Sequence, residues 1–217
     1  MAGEIRVNGA VVTKPGHPTP PDCEIEHRSL RSKYVSRGGE KLEGALIRLN
    51  LDVTGRTCLD VGASTGGFTD CLLQRGAAFV YATDVGTGQL DVKIRNDPRV
   101  EWRESFHARE LAPGIFARPI DLAVVDVSFI SVTKVLPFVQ PCVRPGGTIL
   151  ALIKPQFEAE KKDAPKGVVR DEVVRQAILE RMIAFARDRG WTDLRTTDSV
   201  LKGPKGNQET FLLAHLP

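Results

Sequence analysis

The chain has 217 residues, 41% of them apolar and 26% charged, enough for one full α/β domain with a small appendage and ordinary for a globular protein in water. No run approaches a membrane span, and the opening Met1-Ala-Gly-Glu4 has neither the basic nor the apolar region of a secretion signal, so the expected address is the cytoplasm, with no membrane partner. Cys23, Cys58, Cys71 and Cys142 show no paired spacing and His17, His27, His107 and His215 are scattered, which argues against a disulfide framework and against a metal site.

A net charge of +3 does not by itself call for a polyanionic partner. Its placement says more. Arg28, Arg31, Lys33, Arg37 and Lys41 lie close together and are opposed only by Glu40, a stripe able to follow a phosphate backbone. Ahead of it, Ile5-Arg-Val7 and Ala10-Val-Val12 flank Asn8-Gly9, a strong hairpin signal, and Arg6 adds a further expected RNA contact. Pro15, Pro18, Pro20 and Pro21 force an extended passage to a third strand at residues 23–26. After the basic stretch, Leu42, Ala45, Leu46 and Leu49 recur at helical spacing and predict a helix over residues 39–50, with Lys41 near its start.

From residue 57 onward, strand and helix patterns alternate. Strands are predicted at residues 57–61, 79–83, 100–103, 122–125 and 148–153, and helices at 67–75, 89–95 and 131–142. This is the pattern of a parallel sheet with crossover helices. Residues 158–169 are charged and contain Pro165-Lys-Gly, which reads as a mobile loop. Asp171 caps a long helix that Gly190 ends, and residues 194–200 and 209–215, joined by Lys202-Gly-Pro-Lys-Gly-Asn207, read as an antiparallel pair.

The chemistry centres on the first strand of that series. Asp60 closes it, and Gly62, Ala63, Ser64, Thr65, Gly66, Gly67 and Phe68 follow. The glycines let the backbone turn tightly and approach a ligand, and in open α/β sheets such a loop lies at the carboxyl edge, where ligands bind. The spacing fits neither the dinucleotide fingerprint nor the P-loop. An acid two residues before the first glycine resembles motif I of class I S-adenosylmethionine (SAM) methyltransferases, which makes SAM the expected cofactor and this loop the cradle of its methionine end. Asp84 closes the next strand where a ribose-binding carboxylate belongs, with Val85 beside it. Phe106 and His107, after the third strand, are expected to flank the adenine, and Asp126 to border the same pocket.

Asp126 and Lys154 end the fourth and fifth strands, and Glu209 opens the last. An antiparallel final strand begins at the edge where its neighbours finish, so all three are expected together above the glycine loop. Four stretches, Ser36-Arg-Gly-Gly-Glu-Lys-Leu42, Leu59-Asp-Val-Gly-Ala-Ser-Thr-Gly-Gly-Phe-Thr-Asp70, Asp126-Val-Ser-Phe-Ile-Ser131 and Ile153-Lys-Pro-Gln-Phe-Glu158, resemble the TlyA (hemolysin A) family over almost the whole chain. The resemblance implies a class I SAM-dependent methyltransferase fold: α/β, Rossmann-like, a mostly parallel seven-stranded sheet with an antiparallel last strand. It implies an FtsJ-like core that methylates ribose 2′-hydroxyls of ribosomal RNA, a cytidine among them. It also implies a Lys-Asp-Lys-Glu tetrad, which falls on Lys41, Asp126, Lys154 and Glu209. For a lysine of this set to act as base it must be neutral, and desolvation or like charge from the second lysine is the expected means.

The wording Val7-Asn-Gly-Ala-Val-Val-Thr-Lys-Pro-Gly16 resembles the second half of the alpha-L RNA-binding domain, whose two leading helices are expected upstream of Ala2. The organisation expected is therefore part of that domain at residues 1–27, a basic linker at 28–37 and an FtsJ-like domain at 38–217, with Arg6, Arg28, Arg31, Lys33 and Arg37 on RNA. The rival readings are an RNA-binding module without catalysis and a membrane-active hemolysin.

Overall fold

A computed structural model describes residues 5–12, 16–27 and 33–217. The chain divides into two compact units, Met1–Lys33 and Tyr34–Pro217. In the first, β1 (Ile5–Val7), β2 (Ala10–Val12) and β3 (Ile25–His27) form an antiparallel sheet in the order β2-β1-β3. Asn8 and Gly9 both take positive φ, 49° and 79°, as a two-residue hairpin turn requires. The third strand starts at Ile25 rather than at residue 23, because the Cys23 amide turns back onto the Pro20 carbonyl.

The second unit opens with α1 (Arg37–Arg48), then β4 (Thr57–Val61), α2 (Gly67–Gln74), β5 (Phe79–Thr83), α3 (Val92–Arg95), β6 (Val100–Arg103) and β7 (Ile120–Val125). It continues through α4 (Leu136–Val139), β8 (Val143–Ile153), α5 (Pro155–Glu158), α6 (Glu172–Arg187), β9 (Thr192–Asp198) and β10 (Thr210–His215). The seven strands run in the order β6-β5-β4-β7-β8-β10-β9, with β10 antiparallel to both neighbours and the β6-to-β8 pairs parallel.

Strand periodicity builds a core on each face. Cys58, Val80, Leu122, Leu150, Leu152 and Phe211 point to the face covered by α1 and α2, against Leu42, Leu46 and Leu72. Leu59, Tyr81, Ala123, Ile149 and Leu212 point to the other, against Ile178 and Met182 of α6. Each fully buried aliphatic side chain contributes about 1.5–3 kcal/mol. The register aligns strand ends: Val61 pairs with Thr83 and with Val125, and Thr210 pairs with Ile153. Residues just past β4, β5, β7 and β8 and just before β10 thus share one edge.

Several local expectations are corrected. Residues 131–142 are not one helix: a 3-10 turn at Val132–Lys134, the short α4 and a second 3-10 turn at Gln140–Cys142 take their place. Pro137 and Pro141 each lack an amide donor and crowd the preceding turn. The helix predicted from residue 89 begins only at Val92, capped by Asp91, because the amides of Gly88, Gln89 and Leu90 donate to the Glu104 carboxylate instead. Strand β8 starts at Val143, a register shift between Ile120 and Leu122 absorbing Pro145-Gly-Gly. The stretch read as a mobile loop is fastened at both ends. Glu158 accepts from the Ser131 hydroxyl and the Val132 amide, while Asn207 accepts from the Val169 amide and donates to the Gly167 carbonyl.

Candidate active site

The glycine loop is shaped by what it must avoid. The Gly62 and Ala63 amides both donate to the Thr83 carbonyl, at 2.9 and 3.1 Å, which folds the chain sharply after β4. Gly62 has φ +88°, and a Cβ there would fall well inside contact distance of the Asp126 carbonyl oxygen. Gly67 meets α1 in the same way: a Cβ would collide with the Ser36 hydroxyl, and a Cβ on Gly39 would collide with the Tyr34 ring. Gly38, which faces the Phe68 ring, and Gly67 therefore let α1 and α2 approach at their N-terminal ends.

Two adjoining cavities lie along the carboxyl edge of the sheet. The larger, about 650 Å³, is bounded by Val61, Gly62, Ser64, Thr83, Asp84, Val85, Gln89, Phe106, His107, Asp126 and the 127–130 segment. The smaller, about 210 Å³, is bounded by Ser36, Arg37, Gly38, Lys41, Gly62, Ala63, Ser64, Thr65, Gly67, Phe68, Asp126, Lys202 and Pro204. Gly62, Ser64 and Asp126 border both. The larger volume is within the usual range for small-molecule sites of about 300–1,000 Å³.

Asp84 is held rigid, its Oδ2 accepting from the Ser64 amide and its Oδ1 from the Gly86 amide, each at 2.7 Å. One lone pair on each oxygen remains for a ligand. His107 is exposed on the wall, and its Nδ1 accepts from the Arg109 amide to cap a short turn. Phe106 has the Arg103 guanidinium 5.9 Å from its ring.

Asp60 and Gly66 are expected from the sequence against the ligand; the structure buries the first and keeps both off the walls of the two cavities. Gly66, at φ +93°, packs under Leu90 and Ile94 and lines neither cavity. Asp60 is 0% exposed, with Oδ2 accepting from the Thr69 hydroxyl at 2.7 Å and no hydrogen-bond partner on Oδ1. Burial pushes its carboxyl up to about 7, with the Thr69 hydrogen bond opposing and the nearby Asp126 and Asp84 charges adding. The folded chain thus holds a proton that the unfolded chain has lost, so stability falls as pH rises from about 4 to about 7. Urea unfolding of Asp60→Asn across that window is expected to show a flatter pH dependence than the parent; an unchanged slope would assign the dependence to other groups.

The three strand-end residues and Lys41 form two ion pairs. Lys154 Nζ lies 2.6 Å from Asp126 Oδ1, a charge contact rather than an aligned hydrogen bond, and donates to Ser128 Oγ at 2.8 Å. Lys41, on α1, pairs with Glu209 at the start of β10. The two pairs differ in depth: Asp126 keeps 21% of its side chain exposed, Glu209 only 1%. Gly203 makes room for Glu209, since a Cβ there would lie 2.5 Å from its Oε1. Each lysine is thus matched to a carboxylate, where the sequence reading had set the lysines against one another.

Residues 34–216 match the family of FtsJ-like methyltransferases. The chain belongs to that family. Among its relatives, this FtsJ-like methyltransferase is 46% identical over 217 residues to a protein of Brachyspira hyodysenteriae named Hemolysin A, covering 99% of this chain and 89% of that one. It is 43% identical over 213 residues to the 16S/23S rRNA (cytidine-2′-O)-methyltransferase TlyA of Mycobacterium tuberculosis, covering 97% and 80%. A solved structure described as a "Putative hemolysin from Streptococcus thermophilus" superposes with a TM-score of 0.86 at 41% identity, over 100% of this chain and 80% of that one. The sheet order and the antiparallel β10 are those of a class I methyltransferase, as the sequence implied.

Of the residues expected on RNA, Arg6 and Lys33 belong to the first unit and Arg37 to the second, while Arg28 and Arg31 lie outside the described residues. Sequence reasoning missed Ser36, Gly38, Lys202 and Pro204 on the small cavity, and Gln89 and the exposed Phe129, whose ring meets that of Phe157 at a tilt, on the large one. The Ser36-Arg-Gly-Gly run carried a usable signal, since adjacent glycines at a helix start mark a close approach. Gln89 and Lys202 carried none, because only tertiary folding brings them to the wall.

Proposed function

We propose that this chain transfers the methyl group of SAM to the 2′-hydroxyl of a ribose in ribosomal RNA, that of a cytidine. The observation that carries the reading is the pairing of Lys154 with Asp126 at the point where the two cavities meet. Gly62, with φ +88° and no room for a side chain, gives the close backbone approach that the cofactor needs, and Asp84 offers the carboxylate for its ribose. Phe106, His107 and Val85 border the adenosine end, and Ala63, Ser64, Thr65, Gly67 and Phe68 with Ser36 and Lys41 the methionine end. When bound, SAM supplies an activated methyl group on a sulfonium sulfur.

The chain's own residues orient the acceptor and take its proton. Lys154 is the proposed base. A neutral Lys41 would leave Glu209 buried and uncompensated, whereas Asp126 faces the cavity and keeps water when Lys154 is neutral. Lys41 and Glu209 then fix the opposite side of the acceptor pocket, and placement behind the methyl group accounts for much of the rate. Arg6, Arg28, Arg31, Lys33 and Arg37 are the proposed phosphate contacts. Residues 1–27 are the proposed part of an alpha-L domain, joined through 28–37 to the catalytic domain.

Incubation with methyl-labelled SAM and ribosomal subunits, followed by mapping of 2′-O-methylation, tests the reading. Label confined to cytidine 2′-oxygens supports it; tight RNA binding without label would make the chain a binding module. Among the described residues no helix is long and apolar enough to cross a membrane. Asp84→Ala should weaken SAM binding by about tenfold to a hundredfold, the worth of hydrogen bonds to a charged group. Calorimetry that finds affinity unchanged would remove Asp84 from the site.

A further inference from the structure

The Gln89 amide sits beside Asp84 on the wall of the large cavity. Its Oε1 accepts from the Ser64 hydroxyl at 3.2 Å, on the loop whose amide also holds Asp84. Its Nε2 and Asp84 Oδ1 lie near one another: a Cβ built on Gly86 would run into Nε2 and come 3.1 Å from Oδ1. Gly86 lets the amide pack against the loop beside Asp84. A donor and an acceptor thus stand together on the cavity wall.

The backbone of Gln89 is not left to a surface loop. Glu104 accepts from the Gly88 amide at 2.9 Å, the Gln89 amide at 3.0 Å and the Leu90 amide at 3.3 Å. The Arg95 guanidinium grips both of its oxygens, at 3.0 and 3.1 Å, and also donates to the Leu90 carbonyl. These bonds replace the first turn of α3 and aim residue 89 at the cavity.

A vicinal diol has two hydroxyl donors and oxygen lone pairs to be satisfied. Asp84 can accept but cannot donate, so it meets only half of that demand. We propose that Gln89 is a second ribose ligand, its Nε2 donating to a diol oxygen while Asp84 accepts the hydroxyl protons. This rests on the reading of the large cavity as the adenosine site.

The test is a binding cycle read by calorimetry, with S-adenosylhomocysteine and its 2′-deoxy and 3′-deoxy analogues titrated into the parent chain and Gln89→Ala. Gln89 is exposed, so the substitution leaves the core untouched. In the parent chain, loss of the contacted hydroxyl removes its bonds to both Gln89 and Asp84 and should weaken binding by about fiftyfold or more. In Gln89→Ala, S-adenosylhomocysteine itself should bind about fivefold more weakly, and removing the same hydroxyl should then cost about fivefold less than in the parent, because only the bond to Asp84 is left to lose. Equal deoxy penalties in both proteins would overturn the role of Gln89 and leave the adenosine site standing. Failure of S-adenosylhomocysteine to bind the parent chain would overturn the site itself, and the inference with it.

Discussion

Lys154→Ala is expected to lower methyl transfer at saturating SAM and RNA by about a thousandfold, a value within the usual contribution of a positioned general base. SAM affinity should stay within about twofold, because Lys154 lines neither of the two cavities assigned to SAM and serves the acceptor instead. Stability should change little: Asp126 keeps 21% of its side chain in water and tolerates the loss of its partner. Lys154→Arg separates two roles. Arginine preserves the cation beside Asp126 but cannot be deprotonated in a protein, so a base at this position predicts an arginine variant as inactive as alanine. An arginine variant with parent activity would make Lys154 a fixed charge and move the proton acceptor elsewhere. Lys154→Ala combined with Lys41→Ala should lose little more activity than the worse single variant, since groups acting on one proton and one oxygen do not contribute independently.

Those expectations use pairings that no reading of residue types supplies. The edge itself was legible: apolar runs ending in Asp60, Asp84, Asp126 and Lys154 announce strand ends, and a short loop of glycines announces a turn at that edge. Which charge meets which depends on register. Thr210 falls opposite Ile153, which sets Glu209 at the level of Lys154, yet its carboxylate reaches across to Lys41 on α1. Asp60 misled for a related reason. An acid at a strand end suggests a ligand, but Asp60 is fully buried and accepts from the Thr69 hydroxyl instead. The helices expected at residues 89–95 and 131–142 failed where local pattern met a distant partner or a proline. Glu104 takes the amides that the first would have used, and Pro137 and Pro141 break the second.

The second large effect is on stability. Lys41→Ala and Glu209→Ala should each destabilise the catalytic domain by about 3–5 kcal/mol, because each leaves its partner as an uncompensated buried charge. Lys41 has 11% of its side chain exposed and Glu209 1%, so water cannot take over the lost contact. At this chain length the loss corresponds to a fall in melting temperature on the order of 10 °C. The pair joins the first helix of the domain to its last strand, α1 to β10, two elements 168 positions apart in the chain. Lys154→Ala, with its shallower partner, is the internal control and should melt near the parent. If burial of an unmatched charge is the cause, removing both charges should restore most of the stability while methyl transfer stays lost. Lys41→Met with Glu209→Leu is the pair to make, since it keeps the volume and leaves no charge to strand. A double variant as unstable as the single ones would show that the positions matter for packing rather than for charge. A Lys41→Ala chain that melts with the parent would show that Glu209 is reached by water, and the distinction drawn between the two lysines would fall with it.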